Sequence, residues 1–311
     1  MDGSAAARIA PRSLSLRRSV SLKSQLIDCL PQWKALSRTN AKPRRPLRLA
    51  DWQADWEGNL ALLSRHARRD DRLDVLQADG HLALEHALGW EAAAQAASNL
   101  LLKGIDRGFD GSVLRQIHIE AAALWLDHAQ LLAAAQHNLQ QQGHAIAVGA
   151  SLQPRTAQHY EYALQLLALG PVLGTEDLLP ALVQKVLCFD TDRVLDYVSA
   201  PALGLAEASD EIFHPRPFAS LFAPLREGEA FDPSLLAGYL QTQYRDFFQL
   251  APKAQKRTRR LVGPNAWGYW ALEVAAMVVV YGGDDAVRQA RPVTLLKPYM
   301  PGLAMISCRR V

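Results

Sequence analysis

The sequence has few β-branched residues. Val, Ile and Thr together number 32 of 311 residues, whereas Ala and Leu contribute 49 each. Ala and Leu lose little conformational freedom in a helix, while β-branched side chains are favoured in strands. The composition therefore argues against a predominantly β protein and predicts an all-α fold.

Cysteines and long apolar runs are also scarce. Cys29, Cys188 and Cys308 are far apart and form no CxxC pair, which argues against a disulfide framework or a cysteine-rich zinc site. The longest apolar run near the C-terminus covers residues 274–281, eight residues, well short of the roughly 18 needed to cross a bilayer. The first 30 residues lack the apolar core of a secretory signal. We therefore expect a cytoplasmic chain without a membrane partner.

No catalytic motif is present. The sequence contains no GxGxxG, GxxxxGK[ST], GxSxG or HExxH pattern. His81 and His86 are five residues apart, which turns the second side chain about 140° around a helix, away from a shared metal. His118 and His128 would lie roughly 15 Å apart along one helix, so we expect surface or capping residues. The sequence predicts a non-enzyme with no catalytic residue, no metal and no cofactor.

Charge is distributed unevenly along the chain. Residues 1–50 contain 11 Lys or Arg and 2 Asp or Glu, whereas the other 261 contain 23 and 29. A basic, acid-poor segment of this kind is typical of a solvated tail. We interpret residues 1–50 as a flexible leader, partly disordered and dispensable for folding. A nucleic-acid-binding arm and a mitochondrial transit peptide remain alternatives.

Apolar periodicity predicts a two-part helical bundle behind this leader. A Gly- and Pro-containing stretch at 143–156 is the best candidate for a linker. The predicted domains are an N-terminal helical domain at 51–157 and a C-terminal helical domain at 158–311. Helices are predicted from about residue 49 to 63, 70 to 88, 90 to 103, 113 to 142, 158 to 169, 190 to 198, 234 to 250 and 265 to 281.

An acidic region covers residues 176–232, with eleven acids and four bases. Val194, Leu195 and Val198 would form the buried face of a short helix, so we expect the carboxylates to point outward. A solvated face and a docking surface for a basic partner both fit this pattern. The candidate partner-binding residues are Glu176, Asp177, Asp190, Asp192, Asp196, Glu207, Asp210 and Glu211.

One C-terminal segment resembles a known family. The run AWGYWALEVAA at 266–276, followed by GGDD at 282–285, is similar to the signature of the PoNi family, all-α immunity proteins of interbacterial antagonism. The Leu-rich helix at 162–170, the acidic helix at 190–198 and the Pro-aromatic connection at 213–221 resemble the family in the same order. The structural signature residues are Gly268, Tyr269, Trp270, Glu273, Asp284 and Asp285.

The resemblance implies a toxin inhibitor. Family members neutralise a cognate DNase toxin of the PD-(D/E)xK type, delivered by type VI secretion, by binding it directly. An acidic body fits such a partner, because a nuclease needs a basic surface for phosphates. Glu273 is expected to be half-buried and paired with a base or with an indole or hydroxyl donor. The alternative is a nucleic-acid-binding protein using residues 1–50 and 253–260, and a homodimer stays open.

Overall fold

The computed structural model describes most of the chain between residues 17 and 282. Within this part all regular structure is helical, which confirms the all-α fold. The predicted helix at 234–250, except for four residues, and the basic run at 253–260 lie outside the described residues. The described ranges are 17–44, 47–68, 79–145, 147–205, 207–225, 231–232, 235–236, 239–240 and 270–282.

Eight α-helices are numbered here along the described residues. An irregular segment at 176–186 contains a 3₁₀ turn at Glu176–Leu178, an α-turn at Leu179–Ala181 and a π-turn at Leu182–Val186. The helices are α1 at Arg17–Leu36, α2 at Leu49–Ala67, α3 at Gly80–Arg107, α4 at Gly111–Gln141, α5 at Ala157–Leu173, α6 at Arg193–Leu203, α7 at Pro215–Phe218 and α8 at Leu272–Tyr281.

A hairpin of α3 and α4 forms the centre of the molecule, with α2 packed on α3 and α8 packed on α5 and α6. The apolar stripes of these helices meet in one connected core that includes residues from α1 to α8. Burial of such surface is the main favourable term in folding. The proposed division at 157/158 therefore crosses a shared core, and it stays a prediction. The largest fully buried side chains include Trp56, Leu63, Leu100, Ile117, Trp125, Phe218 and Tyr239.

Carbonyl groups at the C-terminal end of α3 accept hydrogen bonds from residues outside the helix. The last carbonyl groups of a helix lack intrahelical partners and favour nearby cations. The indole of Trp52 donates to the carbonyl of Lys103 at 2.9 Å, and the Arg44 guanidinium donates to the carbonyl of Ile105 at 3.0 Å. Gly108 ends the helix with a φ of +88°, and a Cβ atom there would lie 2.0 Å from the carbonyl oxygen of Lys42. Residues 42–44 are thus fitted against this helix end.

Much of the basic leader belongs to the folded body. Leu26 and Trp33 of α1 are buried, and the indole of Trp56 donates to the carbonyl of Trp33 at 3.0 Å. The expectation of a flexible leader is therefore wrong for residues 26–44. Charge composition did not indicate this packing, because it depends on a few apolar side chains such as Leu26 and Trp33. Residues 1–16 lie outside the described residues.

Several helix boundaries differ from the sequence prediction. Residues 80–88 of the helix predicted at 70–88 join the segment predicted to begin at Trp90 in one continuous helix, α3, which runs through Gly89; residues 69–78 lie outside the described residues. Packing on both sides offsets the roughly 1 kcal/mol that a glycine costs inside a helix. Helix α6 begins at Arg193, because Asp192 caps it. Helix α8 begins at Leu272, after the non-helical residues Trp270 and Ala271, and residues 265–269 of the helix predicted at 265–281 lie outside the described residues.

Candidate functional site

Asp192 is a buried capping residue. Its carboxylate accepts hydrogen bonds from the backbone N–H of Leu195 at 3.0 Å and of Phe213 at 3.0 Å. The Tyr160 hydroxyl also donates to it, with distances of 3.0 and 3.1 Å to the two oxygens. Burial raises the pKa of Asp192, and these hydrogen bonds oppose part of that rise. The prediction that this carboxylate points outward is therefore wrong.

Asp196 is also buried and has a structural contact. One of its carboxylate oxygens accepts a hydrogen bond from the backbone N–H of Ser209 at 2.7 Å. Asp192 and Asp196 together thus attach the loop after α6 to the first turn of that helix. The expectation that Asp196 faces solvent is wrong. The 3.6-residue pattern of α6 could not indicate this, because Asp196 is covered by the loop after the helix and not by a residue of the helix.

Asp190 and Glu211 are paired with a base at the surface. Arg155 contacts Asp190 at 3.2 Å and Glu211 through two hydrogen bonds at 2.8 and 3.2 Å. The guanidinium of Arg155 also stacks 4.1 Å from the ring centre of Phe213. The hydrogen bonds from Arg155 lower the pKa of Glu211. Asp190, Glu211 and Arg155 therefore form a fixed polar group, in which one of the two negative charges is neutralised.

The remaining four candidate acids carry free negative charge. Asp177, Glu207 and Asp210 are exposed, and Glu176 is half-buried. None of the four accepts a hydrogen bond or forms an ion pair within the part of the chain that the structure describes. The acidic region is thus divided between two buried capping carboxylates, a surface pair and four acids that have no partner among the described residues, which we call the unpaired acids.

The signature residues that are described lie in the core. The Trp270 indole donates to the Asp106 carboxylate at 2.8 Å, which connects the start of α8 to the end of α3. Glu273 is fully buried, not half-buried as expected, and it accepts a hydrogen bond from the Tyr239 hydroxyl. Burial raises the pKa of Glu273 from an ordinary 4.5 to about 7, against the effect of that bond. The other signature residues, Gly268, Tyr269, Asp284 and Asp285, lie outside the described residues.

His118 and His128 lie in the core and not at the surface, which corrects the sequence expectation. The imidazole of His118 is hydrogen-bonded to the Leu166 carbonyl at 2.9 Å and to the Thr175 hydroxyl at 2.9 Å. Burial lowers the pKa of His118 and of His128 to about 4, so both are neutral at neutral pH. Across the described residues, no group of three His, Cys, Asp or Glu side chains is arranged to hold a metal.

Two surface features were missed by sequence reasoning. Arg155 lies in the predicted linker, and only the fold brings it to Asp190 and Glu211. Phe189 is among the most exposed large apolar side chains that the structure describes. The available signal was weak: a lone aromatic residue between the apolar stripe at 178–187 and a helix cap.

Comparison with known proteins gives matches to both halves of the chain. Residues 20–143 match the family model described as PA2201 N-terminal domain-like, and residues 190–293 match the C-terminal domain of PoNe immunity proteins, PoNi. The crystal structure of protein PA2201 from Pseudomonas aeruginosa is 52% identical, with 91% of this chain and 96% of that chain covered and a TM-score of 0.77. The chain belongs to the PoNi family of immunity proteins.

This membership confirms the family resemblance that the signature segment indicated. The N-terminal match begins at residue 20, within α1, which agrees with the packing of that helix into the body. The search of curated proteins gave no significant match. No helix among the described residues of this PoNi protein is long and apolar enough to span a bilayer.

Proposed function

We propose that this PoNi protein binds a secreted antibacterial toxin with a DNase domain and neutralises it in the cytoplasm of the receiving cell. The observation that carries the proposal is the match of residues 190–293 to the C-terminal domain of PoNe immunity proteins. Delivery of the toxin by type VI secretion during competition between bacteria is part of the same proposal. The protein acts by direct binding, without catalysis and without a cofactor.

The unpaired acids support this partner class. Asp177, Glu207 and Asp210 are exposed and form no ion pair with any residue that the structure describes. A nuclease presents cations to the phosphates of its substrate, and an acidic surface complements them and speeds association. Asp192 and Asp196 position this surface indirectly, because their hydrogen bonds hold the loop that carries Glu207 and Asp210.

Co-expression tests the function directly. The gene for the toxin is sought beside the gene for this chain, and its nuclease domain is expressed in a sensitive bacterial host with or without the PoNi protein. We expect survival and intact DNA only when both are present. The purified proteins should form a complex, and the purified PoNi protein should hydrolyse neither DNA nor nucleotides. Continued DNA degradation in the presence of the PoNi protein would overturn the proposal.

Charge variants test the unpaired acids. Removing three exposed carboxylates should slow association with the nuclease domain about tenfold at low salt and flatten the salt dependence of that rate. A matched variant removes three exposed carboxylates on α2 and α3 and should associate at the unmodified rate. Equal rates for the two variants would place the toxin contact elsewhere. The test variant is D177N/E207Q/D210N, and the control variant is D51N/E57Q/E85Q.

Nucleic-acid binding remains the second candidate, and the structure weakens its basis. Arg44, one of the basic residues at 1–50, donates its guanidinium hydrogens to the carbonyls of Ile105 and Phe109 and is not free for phosphates. The segment at 253–260 lies outside the described residues. A titration of duplex DNA at low salt should show no binding. Light scattering on the same sample measures whether the free protein is a monomer or a homodimer.

A further inference from the structure

Two consecutive residues before α6 have an uncommon backbone conformation. Cys188 has a φ of 51° and Phe189 a φ of 61°, and no other residue apart from glycine has a positive φ in the described part of the chain. In this left-handed region Cβ crowds the following carbonyl oxygen, and for a bulky residue such as Phe the conformation is a genuine outlier. Such strain persists only where the surrounding structure enforces it.

The neighbouring backbone enforces this conformation. The N–H of Phe189 donates to the carbonyl of Val183 in the π-turn at 3.0 Å, and the Phe189 carbonyl accepts from Thr191 at 3.0 Å. The N–H of Asp190 donates to the carbonyl of Leu187 at 3.0 Å, while the Asp190 carboxylate is held by Arg155. The turn is therefore fixed on both sides, and the aromatic ring is presented at a defined position.

The ring contributes little to the fold that presents it. Phe189 is 69% exposed, so it buries only a small part of its apolar area. A glycine at this position would remove the crowding at positive φ and would lose little apolar burial. An exposed aromatic side chain on a strained, hydrogen-bonded turn thus lowers stability and requires another explanation. Strained residues concentrate at ligand-binding sites, where the strain pre-organises a contact.

We propose that Phe189 is the apolar anchor of the toxin-binding surface and enters an apolar pocket bordered by cations on the nuclease domain. This inference rests on the proposed function. Interface anchors are typically aromatic, and a polar rim surrounds them. Here Asp190 follows Phe189 directly, and Arg155 joins Asp190 to Glu211. Glu207 and Asp210 are exposed and belong to the loop that leads to Glu211, so this part of the surface has an excess of negative charge.

Exposure alone would not single out this side chain. Leu88 is also 69% exposed, but it lies on the regular backbone of α3, and no structural cost is attached to its position. An isolated exposed apolar side chain of that kind is normal at a protein surface. Leu88 is therefore the matched control for Phe189.

The test measures affinity for the toxin nuclease domain encoded beside the gene. Phe189→Ala should weaken binding about 30-fold, equivalent to about 2 kcal/mol, whereas Leu88→Ala should change the Kd less than about twofold. The melting temperature of Phe189→Gly should equal or exceed that of the unmodified protein, since the strain is relieved. A clear loss of thermal stability in Phe189→Gly would show that the ring serves the fold and would overturn the inference.

The native thiol beside the anchor gives a second readout that needs no variant. Cys188 is a free, exposed cysteine, and its alkylation rate can be followed by peptide mass spectrometry. In the complex this rate should fall at least about tenfold, because an occupied anchor pocket covers the turn. Unchanged alkylation in the complex, or equal binding by Phe189→Ala, overturns the anchor while the proposed function stands. Failure of the unmodified protein to bind overturns both.

Discussion

Replacing Asp192 by alanine should destabilise the fold, although Asp190, two residues earlier, can be replaced at little cost. The Asp192→Ala change removes the N-cap of α6, a loss of about 1 kcal/mol. It also leaves the Tyr160 hydroxyl buried without its acceptor, at about 1–3 kcal/mol. The N–H of Phe213 lies nearer the surface, where water can replace the lost acceptor.

One effect acts in the opposite direction. Burial raises the pKa of Asp192, so removal of the carboxylate also removes a desolvation cost. We therefore expect a decrease in the free energy of unfolding near the lower end of that sum, about 2–3 kcal/mol. Chemical denaturation measures this difference. In a Tyr160→Phe background the same change should cost less, because the orphaned hydroxyl is already gone.

The control is Asp190→Ala, which removes an ion pair at the surface. The side chains of Asp190 and Arg155 are 38% and 57% exposed, and such pairs contribute little to stability. The free energy of unfolding should stay within about 0.5 kcal/mol of the unmodified value. An Asp192→Ala variant as stable as Asp190→Ala would refute the assignment of Asp192 as a buried cap. Binding tests that neutralise Asp192 would confuse loss of charge with loss of structure.

Three further changes test the fold. The pKa of Glu273 is about 7 in the folded protein and 4.5 ordinarily. The stability that comes from this difference is complete below pH 4.5 and is lost as the pH rises through 7. The loss is on the order of 3 kcal/mol. Stability should thus fall less with rising pH in Glu273→Gln, and identical pH slopes would contradict this. Gly108→Ala should cost more than Gly143→Ala: both have positive φ, but only Gly108 has a neighbour, the Lys42 carbonyl, within 4 Å of the added Cβ. Equal melting temperatures for the two variants would argue against that close approach. Trp33→Ala should lower the free energy of unfolding by about 3–5 kcal/mol. A negligible decrease would support the interpretation of this segment as a flexible leader.

The sequence alone determined the helical class and several helix positions. Apolar residues at helical spacing define α2 and α4 within a few residues of their observed ends, because this periodicity is a local property of the chain. The signature segment at 266–276 also indicated the family without any coordinates. Gly89, by contrast, suggested a break that packing along α3 overrides.

Only the tertiary structure decided which charges are free. Asp192 and Asp190 are alike in the sequence, yet one meets Tyr160 and the backbone of Phe213, 32 and 21 residues away, while the other stays at the surface. The leader followed the same rule, since Trp33 is buried and its carbonyl accepts a hydrogen bond from the indole of Trp56, 23 residues away. Burial and pairing depend on residues distant in the chain. A local pattern can therefore place a carboxylate or an indole on a helix, but the fold decides whether it faces water.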